Sequence, residues 1–87
     1  MTEHQSLRTF LDRAEQVIAY AKEQNDLYNR QEPQIDDVTY STAQQQLEEA
    51  YIDLQKVSQS SNAQQREEIQ RVVSQILDLQ NDMIIDE

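Results

Sequence analysis

Residues 58–62 read Ser58-Gln59-Ser60-Ser61-Asn62. The conformation of this segment decides which of two folds the chain adopts. A break here gives three helices, whereas a continuous helix through the segment gives a long hairpin of two. No glycine or proline marks the boundary, so helical continuation remains an alternative. We favour a turn, because Asn62 with Gln65, or Ser61 with Gln64, has the spacing of a capping box at a helix N-terminus.

Apolar residues recur at helical spacing on both sides of this segment. Pro33 cannot continue a helix interior, so the pattern before the segment predicts helix one over about residues 3–30 and helix two over about residues 37–58, with Asp36 or Asp37 as the cap of helix two. After the segment we predict helix three over about residues 62–85. The apolar positions are Leu7, Leu11, Ala14, Ile18, Ala21 and Tyr28, then Tyr40, Ala43, Leu47, Ala50, Leu54 and Val57, then Ile69, Val72, Val73, Ile76, Leu77, Leu79, Met83 and Ile84.

Three helices of similar length with short connections predict an all-α fold, an up-down-up three-helix bundle that forms a single domain over residues 1–87. Helix three carries the widest apolar arc, so we expect it to touch the most neighbours. The runner-up is a long helical hairpin that completes its core by dimerisation, because three narrow apolar stripes bury little surface in a monomer.

The composition excludes several classes of site. The chain of 87 residues has no glycine and no cysteine. Without glycine there is no P-loop, dinucleotide-binding fingerprint, nucleophile elbow or EF-hand loop of the usual kind. Without cysteine there is no disulfide, zinc–thiolate site, iron–sulfur cluster or catalytic thiol.

The charge is strongly acidic, with 17 Asp and Glu against 7 Lys and Arg and a formal net charge of −10. Such a chain repels nucleic-acid phosphate and anionic lipid, so we expect neither a nucleic acid nor a membrane as partner. No apolar run approaches the length of a membrane span, and no secretory leader is recognisable. The expected compartment is the cytoplasm.

Few residues offer chemistry. His4 is the one histidine in the sequence, whereas a di-iron or zinc-protease motif needs at least two. It also lies near the N-terminus, where a chain commonly frays. Glu48, Glu49 and Asp53 resemble the carboxylate runs that hold magnesium in helical nucleotide hydrolases. They lie off the apolar stripe, however, and are typical of a solvated helix face. The sequence therefore predicts no catalytic residue, no metal site, no cofactor and no small-molecule ligand.

Apolar residues outside the main stripes mark a candidate surface for a partner or a second copy. Tyr20 and Leu27 form a second, weaker stripe on helix one, while Leu77 and Ile84 widen one flank of helix three. Ile52 projects almost opposite the apolar stripe of helix two, and single exposed apolar residues of this kind are common.

Two further expectations concern the Pro33 turn. Tyr28 and Tyr40 flank it and are expected to pack on each other. Asn25 lies on the core stripe of helix one, where a polar residue can fix register, but its position near the helix end favours a solvated side chain.

Three stretches resemble a known family: residues 40–50, 61–67 and 79–84, which read YSTAQQQLEEA, SNAQQRE and LQNDMI. They are similar to the YtzC-like family of small uncharacterised proteins from Bacillus-type Firmicutes, over most of the chain and most strongly from Tyr40 onward. The resemblance implies a small helical bacterial protein and carries over no site residues.

These observations favour a non-enzymatic module for protein–protein interaction or self-association. Two alternatives stay open: a magnesium-dependent nucleotide or phosphate hydrolase that uses helix-borne carboxylates, and an acidic mimic of nucleic acid that binds a basic protein.

Overall fold

The computed structural model describes residues 3–30 and 37–83, with side chains from Leu7 and from Val38 onward in these two ranges. It contains the helices α1 (Glu3–Asn29), α2 (Asp37–Ser58) and α3 (Ala63–Asp82), which all contact one another. Contacts between the start of α1 and the start of α3, and between the end of α1 and the start of α2, show that successive helices run antiparallel. The predicted three-helix bundle is confirmed. Pro33, Asp36 and Ile84 lie outside the described residues.

One core runs between the three helices. Each of its side chains is at least nine-tenths buried, and in each helix they follow the predicted stripe. Residues spaced three and four apart lie on one face of a helix, and that face packs inward. Phe10, Val17, Tyr28, Tyr51 and Val57 pack around it and are partly buried. The buried apolar side chains are Leu7, Leu11, Ala14, Ile18, Ala21, Tyr40, Ala43, Leu47, Ala50, Leu54, Ile69, Val72, Val73, Ile76, Leu79 and Met83.

The three helices do not approach one another equally. More backbone contacts join α1 to α2 than join α3 to either of them. The expectation that helix three touches the most neighbours is therefore wrong. The alanines explain why: Ala14, Ala21, Ala43 and Ala50 are buried in α1 and α2, whereas every buried side chain of α3 is Val, Ile or Leu. Small side chains let two helix axes approach, and branched ones hold the third helix further away.

The turn between α2 and α3 forms where the sequence predicts it. Asn62 is the N-cap of α3: its side chain accepts a hydrogen bond of 2.8 Å from the Gln65 backbone N–H, while the Gln65 side chain accepts one of 3.0 Å from the Asn62 backbone N–H. Of the two capping boxes considered, this is the one present. The Ser61 hydroxyl instead donates to the carbonyl of Val57, at 2.7 Å.

The end of α2 needs no glycine, because side chains satisfy its last carbonyl groups. The carbonyl oxygen of Val57 accepts hydrogen bonds from the hydroxyls of Ser60 and Ser61, and that of Ser58 accepts one from Nε of Arg66, at 3.1 Å. The turn thus forms without the glycine that commonly stands after a helix.

We expect Asn62→Ala to destabilise the protein by about 1 kcal/mol, because alanine cannot accept the hydrogen bond from the Gln65 N–H. Urea unfolding followed by circular dichroism measures the change. The matched control is Gln70→Ala on the exposed face of α3, which should stay within about 0.5 kcal/mol. Equal stability of the two variants would show that the capping box contributes nothing measurable.

Candidate functional site

The surface of the bundle displays large apolar side chains among polar ones. Within the described side chains, Tyr20, Val38, Ile52 and Leu77 are exposed, with Tyr20 at 37% and Leu77 at 47%. Both belong to the surface predicted from the sequence. Leu27 lies on the side of α1 turned away from the core stripe, but its side chain is half-buried and not fully exposed. Ile84, the fourth predicted residue of this surface, is outside the described residues.

Val38 is the residue that the sequence analysis missed. It is 74% exposed, the most of the four, beside Ser41, Thr42 and Gln45 on α2. Its place could have been found from the helical period, because it falls opposite the core positions of α2.

Leu77 lies in an open groove between α2 and α3. The groove measures about 470 Å³, and its walls are Gln44 and Glu48 from α2 with Gln80 and Asn81 from α3. Gln80 donates a hydrogen bond of 3.0 Å from Nε2 to the carboxylate of Glu48 and so links the two walls. Leu77 is thus an apolar side chain surrounded by amides and a carboxylate, an arrangement that suits contact with another molecule.

A larger cavity, of about 570 Å³, lies at the opposite end of the bundle, between the start of α1 and the start of α3. Arg8 crosses it and contacts the carboxylates of Glu68, at 3.3 Å, and Asp12, at 3.6 Å. Both ion pairs are more than two-fifths exposed and contribute little to stability. Arg8 is therefore already engaged by acidic side chains. The remaining lining comes from Leu7, Asn62, Gln64, Gln65, Glu67 and Arg71.

The three carboxylates considered for magnesium do not form a site. Glu48 and Glu49 are exposed, Asp53 is half-buried, and Glu48 is engaged by Gln80. Among residues 3–30 and 37–83, no group of three or more histidine, cysteine or acidic residues is placed to hold a metal ion. The concave cluster of carboxylates that a magnesium-dependent hydrolase requires is not found there.

The most buried polar cluster joins all three helices at the end of α1. Tyr40 is 3% exposed, and its ring stacks on that of Tyr28, with centroids 4.1 Å apart and planes at 24°. The predicted packing of the two tyrosines is confirmed. The Tyr40 hydroxyl lies 3.0 Å from the Asn25 side-chain amide and 3.1 Å from the carbonyl oxygen of Met83, at the end of α3. That oxygen also accepts a hydrogen bond of 3.0 Å from Nε2 of Gln44.

Asn25 corrects an expectation, because its side chain is buried, at 9% exposure, and is not solvated. Burial of an amide is tolerated only where it has a partner, and the Tyr40 hydroxyl is that partner. The hydroxyl has one hydrogen to donate. Oδ1 of Asn25 and the carbonyl oxygen of Met83 are both placed to accept that one hydrogen.

Tyr40 makes the stability of the fold sensitive to high pH. Burial, and secondarily its neighbour Tyr28, raises the pKa of the Tyr40 phenol above its ordinary value of 10.0. The protonated form is therefore favoured in the folded state, and its contribution is complete below pH 10 and is lost as the pH rises through the higher folded pKa.

We expect the melting temperature to fall as the pH is raised above about 10, the ordinary pKa of tyrosine, with part of this fall absent in Tyr40→Phe. Thermal unfolding at a series of pH values measures it. Tyr20→Phe, at an exposed position, is the matched control and should keep the full pH dependence. An identical alkaline profile in the unchanged protein and in Tyr40→Phe would contradict the assignment to Tyr40.

In the part of the chain that the structure describes, no helix combines the length and the apolar character needed to cross a membrane.

Comparison with known proteins gives one family and one relative. Residues 1–85 match the family model described as protein of unknown function (DUF2524). The chain is 42% identical over 85 residues to the uncharacterized protein YtzC of Bacillus subtilis (strain 168), an alignment that covers 98% of this chain and 93% of the relative. No solved structure matches the chain.

Proposed function

The chain belongs to the family of proteins of unknown function DUF2524, and we propose that it acts without catalysis, as a cytoplasmic module that binds a protein partner or a second copy of itself. Its resemblance to the YtzC-like family is confirmed by the match over nearly the whole chain. Membership identifies no reaction, so the proposal rests on the surface of the bundle.

The observation that carries the proposal is the exposure of Leu77 within a groove. Leu77 is not part of the core, in which α3 already buries Ile69, Val72, Val73, Ile76 and Leu79. Leu77 is therefore not needed to hold α3 in place. A large aliphatic side chain left half in water, inside a concave surface, gains free energy when another molecule covers it.

A second apolar area on α1 supports the same function. Tyr20 is 37% exposed and Leu27 is half-buried, and the two are separated by seven residues, or two helical turns. A helix from a partner presents apolar side chains at the same repeat and could lie along them. The protein thus offers two apolar contact areas, one on α1 and one between α2 and α3.

Sedimentation at increasing concentration, together with affinity capture, tests the proposal. We expect either an increase in mass with concentration or a captured protein, and we expect Leu77→Ser or Tyr20→Ser to abolish it. Gln70→Ala, on the exposed face of α3, serves as the control. A protein that stays monomeric at every concentration, and captures the same background with and without the substitutions, would overturn the proposal.

A further inference from the structure

A second exposed apolar side chain lies on α2, one of the two helices that form the groove. Ile52 is 42% exposed and follows Glu48 by four residues, so it lies one turn further toward the end of α2. Leu77 precedes Gln80 by three residues and lies almost one turn toward the start of α3. Because the helices are antiparallel, both are displaced in the same direction from the Glu48–Gln80 hydrogen bond, by about 6 Å and about 4.5 Å.

Ile52 and Leu77 therefore stand at similar heights, with Leu77 in the groove and Ile52 on the outer face of α2. Two neighbouring helices such as α2 and α3 present a groove into which another helix packs its own ridge of side chains. A helix laid there would make, together with α2 and α3, an arrangement like that of a four-helix bundle. The geometry therefore favours a helical occupant.

The charge around the groove is mostly of one sign. Residues 37–55 and 72–83, which contain its walls, have no lysine and no arginine, and the nearest basic residues along the chain are Lys56 and Arg71. The acidic residues of these segments with described side chains are Glu48, Glu49, Asp53, Asp78 and Asp82. The carbonyl end of α3 adds the negative end of its helix dipole nearby. The electrostatic potential here therefore favours a cationic partner.

Helix α1 differs from the rest of the chain in this respect. Residues 3–30 hold five acidic and four basic residues, so nine of the ten excess negative charges lie outside this segment. A second copy that placed its own groove against this one would bring two acidic surfaces together, at a cost in like-charge repulsion. The charges thus favour a different protein with a basic surface over a symmetric dimer.

We propose that the groove that holds Leu77 binds a cationic amphipathic helix of another protein. The apolar side of that helix covers Leu77, and its lysine or arginine side chains reach Glu48 in the wall and the acidic residues that surround the groove. This inference rests on the proposed function, since it names the partner of one of the two contact areas. It assigns to the groove a role that the α1 surface of Tyr20 and Leu27 does not share.

The direct test uses a defined probe. A synthetic amphipathic peptide of leucine and lysine, about 18 residues and so about 27 Å long as a helix, is titrated into the full chain at about 0.15 M salt. We expect saturable binding, amide chemical-shift changes concentrated near Leu77 and Gln80, and about tenfold weaker binding to Leu77→Ser. A peptide of the same pattern with glutamate in place of lysine should not bind.

Tyr20→Ser is the matched control, because it removes an exposed apolar side chain from the other contact area. It should leave the peptide affinity unchanged. If Leu77→Ser fails to fold, the double variant Glu48→Gln with Asp78→Asn tests the charges instead, and it should weaken binding several-fold and reduce its dependence on salt.

Three outcomes would overturn the inference while leaving the proposed function standing: no binding of the peptide, binding weakened by Tyr20→Ser and not by Leu77→Ser, or a dimer that Leu77→Ser dissociates. The last would identify a second copy as the occupant of the groove. The proposed function fails separately, in the sedimentation and capture experiment described above.

Discussion

Tyr40→Ala is expected to destabilise the protein by about 3 to 5 kcal/mol, the range seen when a large buried aromatic side chain is cut back to alanine. The substitution leaves a cavity beside Tyr28 and removes the hydroxyl that contacts Asn25 and Met83. A domain of 87 residues has a total stability of about 4 to 13 kcal/mol, so the variant should lose a large share of it. Urea unfolding followed by circular dichroism measures the change.

Tyr40→Phe separates the ring from the hydroxyl. It keeps the stack on Tyr28 and is expected to cost about 1 to 3 kcal/mol, because the buried amide of Asn25 loses its partner. Met83 keeps the hydrogen bond from Gln44, so its carbonyl is not left alone. Adding Asn25→Leu to Tyr40→Phe removes the amide as well and should recover part of the loss. A double variant as unstable as the sum of the two single ones would contradict the pairing of Asn25 with Tyr40.

Ala43→Leu is expected to cost about 1 to 3 kcal/mol or more, because it forces a larger side chain into the closely packed contact of α1 with α2. Ala43 is fully buried, and neither helix can move away without losing contacts made by Leu47 and Leu54. Thermal unfolding by calorimetry measures the loss.

Gln45→Leu is the control for that substitution, since it places leucine on the exposed face of the same helix. Its effect should stay within about 0.5 kcal/mol. If Ala43→Leu were as stable as the unchanged protein, the close approach of the two helices would not depend on alanine, and the explanation given for the more distant position of α3 would be wrong.

The helices and the core could be predicted from the sequence because both depend on local rules. Apolar residues spaced three and four apart lie on one face of a helix, and that face packs inward. The capping box from Asn62 to Gln65 is likewise formed by residues only three apart. For the same reason Leu77 and Ile52 could be identified as apolar residues outside the core stripes.

What could not be predicted depends on contacts between helices. The burial of Asn25 is determined by Tyr40, fifteen residues away on another helix. The residues near Asn25 in the sequence do not indicate that Tyr40 is its partner. The groove likewise needs Glu48 and Gln80 side by side, and their pairing follows from the relative heights of α2 and α3. The width of the apolar arc on α3 suggested many neighbours. The distance between two helices depends on side-chain size, however, and the small alanine side chains let α1 and α2 approach each other.

The carbonyl oxygen of Met83 accepts two side-chain hydrogen bonds from α2, and this oxygen belongs to the main chain. Every amino acid supplies the same oxygen at that position. A substitution of Met83 that kept the backbone in place would alter the packing of the core and leave these two bonds intact. Mutational scanning would therefore assign their importance to Tyr40 and Gln44 alone, and the acceptor would be invisible to any experiment that changes only side chains.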